Sequence, residues 1–267
     1  MKRHRLFFVA LMLLMMFAGI SCKNDKASAV QEEVYLKFDS VEWHDSATVS
    51  PNGITRVDYK CVFPVSGSKA LKDSMVRWIC EQYGDSMFNV SVNMKALLEK
   101  MGRKQITVDK AELAEIVAHR GADDKFPLEY ATDIRTNVEY EDSNFVTLSC
   151  QTYKYMGGAH GSTVSNAITF SKKDGSRCGW DLLPDMDKKE LAGKIKAGLK
   201  EYFKITEPNS DSKLREMLIG IDDADYNDDF PLPAYPPYLV KDGVAVLYQQ
   251  YEIAPYSAGM PKCVIKP

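Results

Sequence analysis

Residues 129–171 read EYATDIRTNVEYEDSNFVTLSCQTYKYMGGAHGSTVSNAITFS. Two β-type runs, 129–140 and 144–155, flank the polar segment Glu141-Asp142-Ser143, which predicts a hairpin. Val146, Leu148 and Cys150 alternate in phase on one face of the second run. A third run, 162–171, alternates as well, with Val164, Ile168 and Phe170 on one side. Three glycines around a histidine, Gly157-Gly158-Ala159-His160-Gly161, join the second run to the third. Asp174-Gly175 marks the next turn. A hairpin alone is marginal, so 143–171 is expected to pair with the last strands of the chain.

On the N-terminal side, 34–43 and 53–65 are apolar and β-branched enough to be strands, separated by the turn signal Ser50-Pro51-Asn52-Gly53. Cys61 shares a strand face with Val57, Tyr59 and Phe63, and reads as a small buried hydrophobe, as does Cys150. Leu71, Met75, Trp78 and Ile79 recur at helical spacing and predict a helix over 69–83. Asp109 with Glu112 has the form of a capping box, opening a second helix that carries Leu113, Ile116 and Val117. On the C-terminal side, Leu191, Ile195, Leu199 and Tyr202 stripe a helix over 187–203, whose lysines read as a solvated face. A short helix at 211–219 and strands near 244–250 and 261–266 follow. Strands and helices mix without regular βαβ alternation. The fold class is therefore α+β, a mostly antiparallel sheet packed with helices.

The start of the chain speaks to compartment. Lys2, Arg3 and Arg5 precede an apolar run from Leu6 to Ala18, then Gly19-Ile20-Ser21-Cys22 and the polar Lys23-Asn24-Asp25-Lys26. The run is shorter than the roughly 20 residues of a spanning helix, and the layout is that of a secretory signal peptide over 1–21. Small residues directly before a cysteine resemble a bacterial lipobox. That resemblance implies lipidation of Cys22, attachment to a membrane through the lipid, and residence in the bacterial envelope, at the outer membrane if the organism has one. Residues 22–33 then read as a tether. The formal net charge of −3 leaves no basic excess, which excludes the usual electrostatic footprint of a nucleic-acid binder. Besides Cys22 there are Cys61, Cys80, Cys150, Cys178 and Cys263, an odd and widely spaced set without C-x-x-C, so neither a disulfide framework nor a zinc signature is read. No Ser-His-Asp signature, H-E-x-x-H or Walker motif occurs, and no metal or cofactor is expected.

Two motifs could carry chemistry. In the first, Tyr155-Met156-Gly157-Gly158-Ala159-His160-Gly161, the glycines allow a tight turn or close approach by another chain. A strand follows rather than a helix, which argues against a phosphate cradle. His160 has the chemistry of a general base or metal ligand, but no second His or Cys lies near it in sequence. The expected role is structural, a bond to a backbone carbonyl that pins the hairpin. The second motif is Tyr251-Glu252-Ile253-Ala254-Pro255-Tyr256-Ser257-Ala258-Gly259. Pro255 forces a bend, over which Tyr251 and Tyr256 are expected to pack. Glu252 is a lone carboxylate, whereas a glycosidase needs a facing pair. The candidate ligand-binding residues are Gly157, Gly158, His160, Tyr251, Glu252 and Tyr256, with no catalytic residue assigned. A third stretch, 222–229, matches the opening of an EF-hand loop at Asp223, Asp225 and Asn227 but has Asp228 and Ala234 at the two diagnostic places. It reads as a solvated acidic loop. The proline–aromatic run 230–238 beside it reads either as a binding surface or as a lead-in to the last strands.

Together with Ile168-Thr169-Phe170, Asp174-Gly175 and Trp180-Asp181-Leu182-Leu183, the two motifs resemble an extracytoplasmic domain pair of unknown function. The pair is found in PdaC-type peptidoglycan deacetylases, outside their catalytic domain, and in RsiV-type anti-sigma factors that sense lysozyme. The resemblance implies two intimately associated subdomains, a PdaC-type one over 34–168 and an RsiV-type one over 169–267. No deacetylase domain, sigma-binding segment or transmembrane helix is read in these residues, so it implies neither deacetylation nor sigma-factor control. What it does imply is a binding module whose partner is cell-wall glycan or a wall-attacking protein such as lysozyme. The alternatives are a hydrolase of envelope glycans or peptides using His160 or Glu252, and a purely structural lipoprotein.

Overall fold

Two long strands, β1 (Phe38–Val49) and β2 (Gly53–Pro64), pair antiparallel along their whole length in the computed structural model. It describes residues 35–49, 52–85, 92–120, 126–183, 185–206, 208 and 210–266. The expected signal peptide, Cys22, the tether and part of the turn at 50–53 lie outside the described residues. Val57, Tyr59 and Cys61 share the buried face of β2 as their alternation predicts. β1 starts and ends later than the expected 34–43, because its register with β2 runs from Phe38↔Pro64 to Val49↔Gly53.

α1 (Lys69–Gln82) is capped by the Ser68 hydroxyl, which accepts from the Leu71 amide, and buries Leu71, Met75, Trp78 and Ile79. α2 (Met94–His119) corrects the sequence reading. It starts at the Asn93 cap, so the Asp109–Glu112 pair lies inside a continuous helix rather than opening one. The amides of a helix interior are already bonded, so these side chains turn sideways. Asp109 is buried, and its carboxylate accepts from the Thr55 hydroxyl and the Gln105 side-chain amide, both at 2.7 Å. Glu112 accepts from the Tyr130 hydroxyl at 3.2 Å.

After the two helices the chain re-enters the sheet as β3 (Leu128–Glu141), parallel to β2. Then β4 (Phe145–Met156), β5 (Ser162–Ser171) and β6 (Arg177–Cys178) add in antiparallel order. The β3–β4 turn is held by Asp142, whose carboxylate accepts from the Asn144 and Phe145 amides at 2.7 Å. Burial pushes that carboxyl up, but these bonds, the Tyr140 hydroxyl and the nearby Lys172 charge outweigh it and hold it below the ordinary range. The helices cover one face of the six-stranded sheet, where Cys61, Met75, Ile79, Leu98, Leu148 and Phe170 form the first core.

The second half builds its own core on a small antiparallel sheet, β7 (Tyr238–Val240), β8 (Gly243–Leu247) and β9 (Lys262–Ile265). α3 (Lys188–Tyr202) and α4 (Ser210–Met217) supply Ile195, Leu199 and Leu214. The expected acidic loop is instead a short helix, α5 (Asp223–Asp228). Asp222 caps it by accepting from the Asp225 amide, and Tyr226 and Phe230 fall on one buried side with ring centroids 5.8 Å apart. Of the proline–aromatic run, Tyr238 is the first residue of β7, so its end leads into the last strands.

The last strands do not join 143–171 as a ladder. The two sheets meet through side chains on the face of β5 away from the helices. Thr169 Oγ1 accepts from the Leu239 amide at 2.9 Å, and Ala167 packs with Tyr238 and Ala245. The amides of Ser165 and Thr163 donate to the side chains of Gln249 and Gln250, at 2.9 and 2.8 Å. The expected subdomain boundary at 168/169 lies within β5. Among the described residues all five cysteines are free and buried, and burial pushes the Cys61 and Cys150 thiols up to about 12.

Candidate functional site

β4 ends at Met156, and Gly157 and Gly158 follow with φ of 81° and 88°, left-handed values that favour glycine. The Tyr155 hydroxyl donates to the Gly158 carbonyl at 3.0 Å and closes the turn. Gly161 is needed for a different reason. A Cβ there would lie 2.3 Å from the Tyr153 ring, so only glycine lets the loop settle on β4.

The second motif follows β8. Tyr251 has φ of 65°, rare and strained for a tyrosine. Glu252 turns inward. Its two oxygens accept from the Ala234 and Gln249 amides, each at 2.6 Å, so the carboxylate ties the 230s loop to the end of β8. Pro255 heads a single 3₁₀ turn, Tyr256–Ala258. The Tyr202 hydroxyl donates to the Ala258 carbonyl at 2.7 Å and anchors that turn on the end of α3.

Ninety-odd residues apart in sequence, the motifs meet through their rings. His160 stacks on Tyr256 at 3.8 Å between centroids and 18° between planes. Tyr251 lies beside both, 5.6 Å from Tyr256 and with its hydroxyl 3.3 Å from His160 Nε2. The Tyr256 hydroxyl donates to the Gly161 carbonyl at 3.0 Å, locking one loop to the other. His160 is exposed. Its Nδ1 lies 3.1 Å from the backbone carbonyl of its neighbour Gly161, a contact local to the loop. The structure thus gathers His160, Tyr251 and Tyr256 on a turn shaped by Gly157 and Gly158, and leaves Glu252 out. Chemically this is a cluster of one stacked pair and a third, tilted ring, with a polar edge of phenol and imidazole groups. Sequence reasoning missed Tyr153, Gln249 and Gln250. The alternation of β4 carries the signal for Tyr153, which falls on the face opposite Cys150 and Leu148. Nothing local marks the glutamines.

Residues 181–266 match the family described as Protein of unknown function (DUF3298), and residues 79–163 match the one described as Deacetylase PdaC. These are the two halves of the domain pair that the motifs resemble, and together they mark an envelope-associated domain of unknown function. His160 falls in one match, Tyr251 and Tyr256 in the other. Among solved structures, a DUF3298 family member from Bacteroides fragilis is similar with a TM-score of 0.70 at 20% identity, covering 86% of this chain and 90% of its own. A DUF3298 family protein from Pseudomonas aeruginosa is similar with a TM-score of 0.54 at 14% identity, covering 88% and 92%. These likenesses are of fold, and the fold is α+β. No curated protein is significantly similar to the chain.

Proposed function

We propose that this protein is a lipid-anchored envelope protein that acts by binding, and that the ring cluster of His160, Tyr251 and Tyr256 is its contact surface for cell-wall glycan. The observation that carries this is Tyr251. Its backbone is strained and the residue is 55% exposed, a combination that packing alone does not reward. An exposed aromatic ring suits the C–H face of a sugar ring, and the phenol and imidazole edges suit its hydroxyls. Glu252, the one carboxylate of the motif, is occupied with two backbone amides, which favours binding over hydrolysis. A wall-attacking protein such as lysozyme is the other partner the motif resemblance supports. The test is retention of the soluble form starting at Lys23 on purified peptidoglycan. The wild type should be retained and Tyr251→Gly released. Equal retention of both would remove the ring cluster from the function, and retention on lysozyme alone would favour the protein partner. The anchor has its own test. Labelled palmitate should enter the native protein and not Cys22→Ser.

A further inference from the structure

Where the small sheet leans on the large one, two cavities lie side by side. One, of about 410 Å³, has a floor of Asn137, Gln151 and Ser165 from β3, β4 and β5. The other, of about 620 Å³, lies between the end of α3 and β9. Tyr202 and Lys262 line both, so the two adjoin at these side chains, and the groove is the pair of them. Its size is that of a ligand cleft rather than a packing defect. The groove is tied to the ring cluster through two hydrogen bonds. The Tyr202 hydroxyl is tied to Ala258, in the same 3₁₀ turn as Tyr256, and Ser165 on the floor is held by Gln249, two residues before Tyr251.

We propose that this groove binds further sugar rings of the glycan chain whose first ring rests on His160, Tyr251 and Tyr256. The inference rests on the glycan reading above and extends it from one ring to a tract. Three features select a neutral, hydroxyl-rich chain over other occupants. The floor offers side-chain amides and hydroxyls on three adjacent strands. Gln151 lies on β4, which is paired on both sides, and so is β3. The floor therefore has no free main-chain edge along β3 or β4 for an extended peptide to pair with, and β9 in the other wall, paired only with β8, makes a peptide the competitor that the test below includes. The charges nearly balance, Glu139, Glu201 and Asp242 against Lys262 and Lys266, which gives no steering field for a strongly charged partner. Tyr202, a residue 37% exposed with its hydroxyl fixed on Ala258, supplies a rigid aromatic wall.

Titration of the soluble form with N-acetylglucosamine oligomers, from dimer to hexamer, tests this. Affinity should tighten by roughly tenfold or more from dimer to hexamer, as successive rings fill linked subsites. Gln151→Ala removes an exposed side chain, so its melting curve should overlay the wild type's while the gain with length disappears. Lys262→Ala should act in the same direction. Wild-type affinity that is independent of length would overturn the groove and leave the ring cluster standing. So would a Gln151→Ala variant that keeps the full gain, or displacement of the hexamer by free wall peptides. Failure of every oligomer to bind would sink the glycan reading itself.

Discussion

Tyr251 sets a backbone penalty against an exposed ring. A left-handed φ costs a non-glycine residue about 1–2 kcal/mol, and a side chain on a residue 55% exposed recovers little of that through burial. The conformation persists because its surroundings hold it. Glu252 fixes the Gln249 amide on one side, and Gln249 and Gln250 are bonded to β5 on the other. Tyr251→Gly should therefore relieve strain, against about 0.5–1 kcal/mol of extra chain entropy in the unfolded state and the loss of one exposed hydroxyl contact with His160. The melting temperature is expected to hold or rise slightly, even as retention on peptidoglycan falls. That opposition of stability and binding is the signature of a residue kept for contact. A melting temperature lowered by many degrees would instead make Tyr251 a packing residue. His160 and Tyr256 differ from it. Tyr256 bonds the Gly161 carbonyl, and the His160 ring lies on Tyr256, so changing either disturbs the junction of the two loops as well as the surface.

α2 shows how closely the helical layer sits on the sheet. A Cβ at Gly102 would come within 1.9 Å of the Trp43 ring on β1, so the glycine is where helix and strand touch. Gly102→Ala should gain about 1 kcal/mol in helix propensity but lose more through overpacking, typically about 1–3 kcal/mol. The expected net is a lower urea midpoint with an unchanged slope. A higher midpoint would show that Trp43 can turn aside freely. The same helix marks the limit of sequence reading. β2, β4 and α1 were legible because their alternation or helical stripe is undiluted. In the first half of α2, Leu97, Leu98, Met101 and Ile106 are spread among lysines, and Gly102 further masks the period. Asp109 then imitates a helix start, although its carboxylate is spent on Thr55 across the core. β7 has three residues and draws its order from Thr169 and Ala167 of another element. The site was half legible. The glycines and tyrosines marked two loops, but the stacking of His160 on Tyr256 and the inward turn of Glu252 depend on contacts across the fold.

The whole described molecule is two cores joined through one sheet face. Helices α1 and α2 cover one side of the six-stranded sheet, and the small sheet covers part of the other at β5. Ala167 and Thr169 are buried by that cover although they point away from the first core. The second core in turn depends on the end of the chain, which contributes Ile253, Cys263 and Ile265. Truncation after Tyr251 would remove β9 and open the edge of β8. It would also strip the Ala234 and Gln249 amides of the carboxylate that satisfies them. An opened strand edge beside uncovered apolar surface favours aggregation. The truncated protein should therefore be insoluble, or soluble with lost near-ultraviolet dichroism and exposed apolar surface, the marks of a molten state. Size-exclusion chromatography and a thermal melt decide the matter. A monomer with one sharp transition would show that the six-stranded sheet and its helices stand alone. The small sheet would then be a separable platform, and the groove between them a hinge-like interface rather than a fixed cleft.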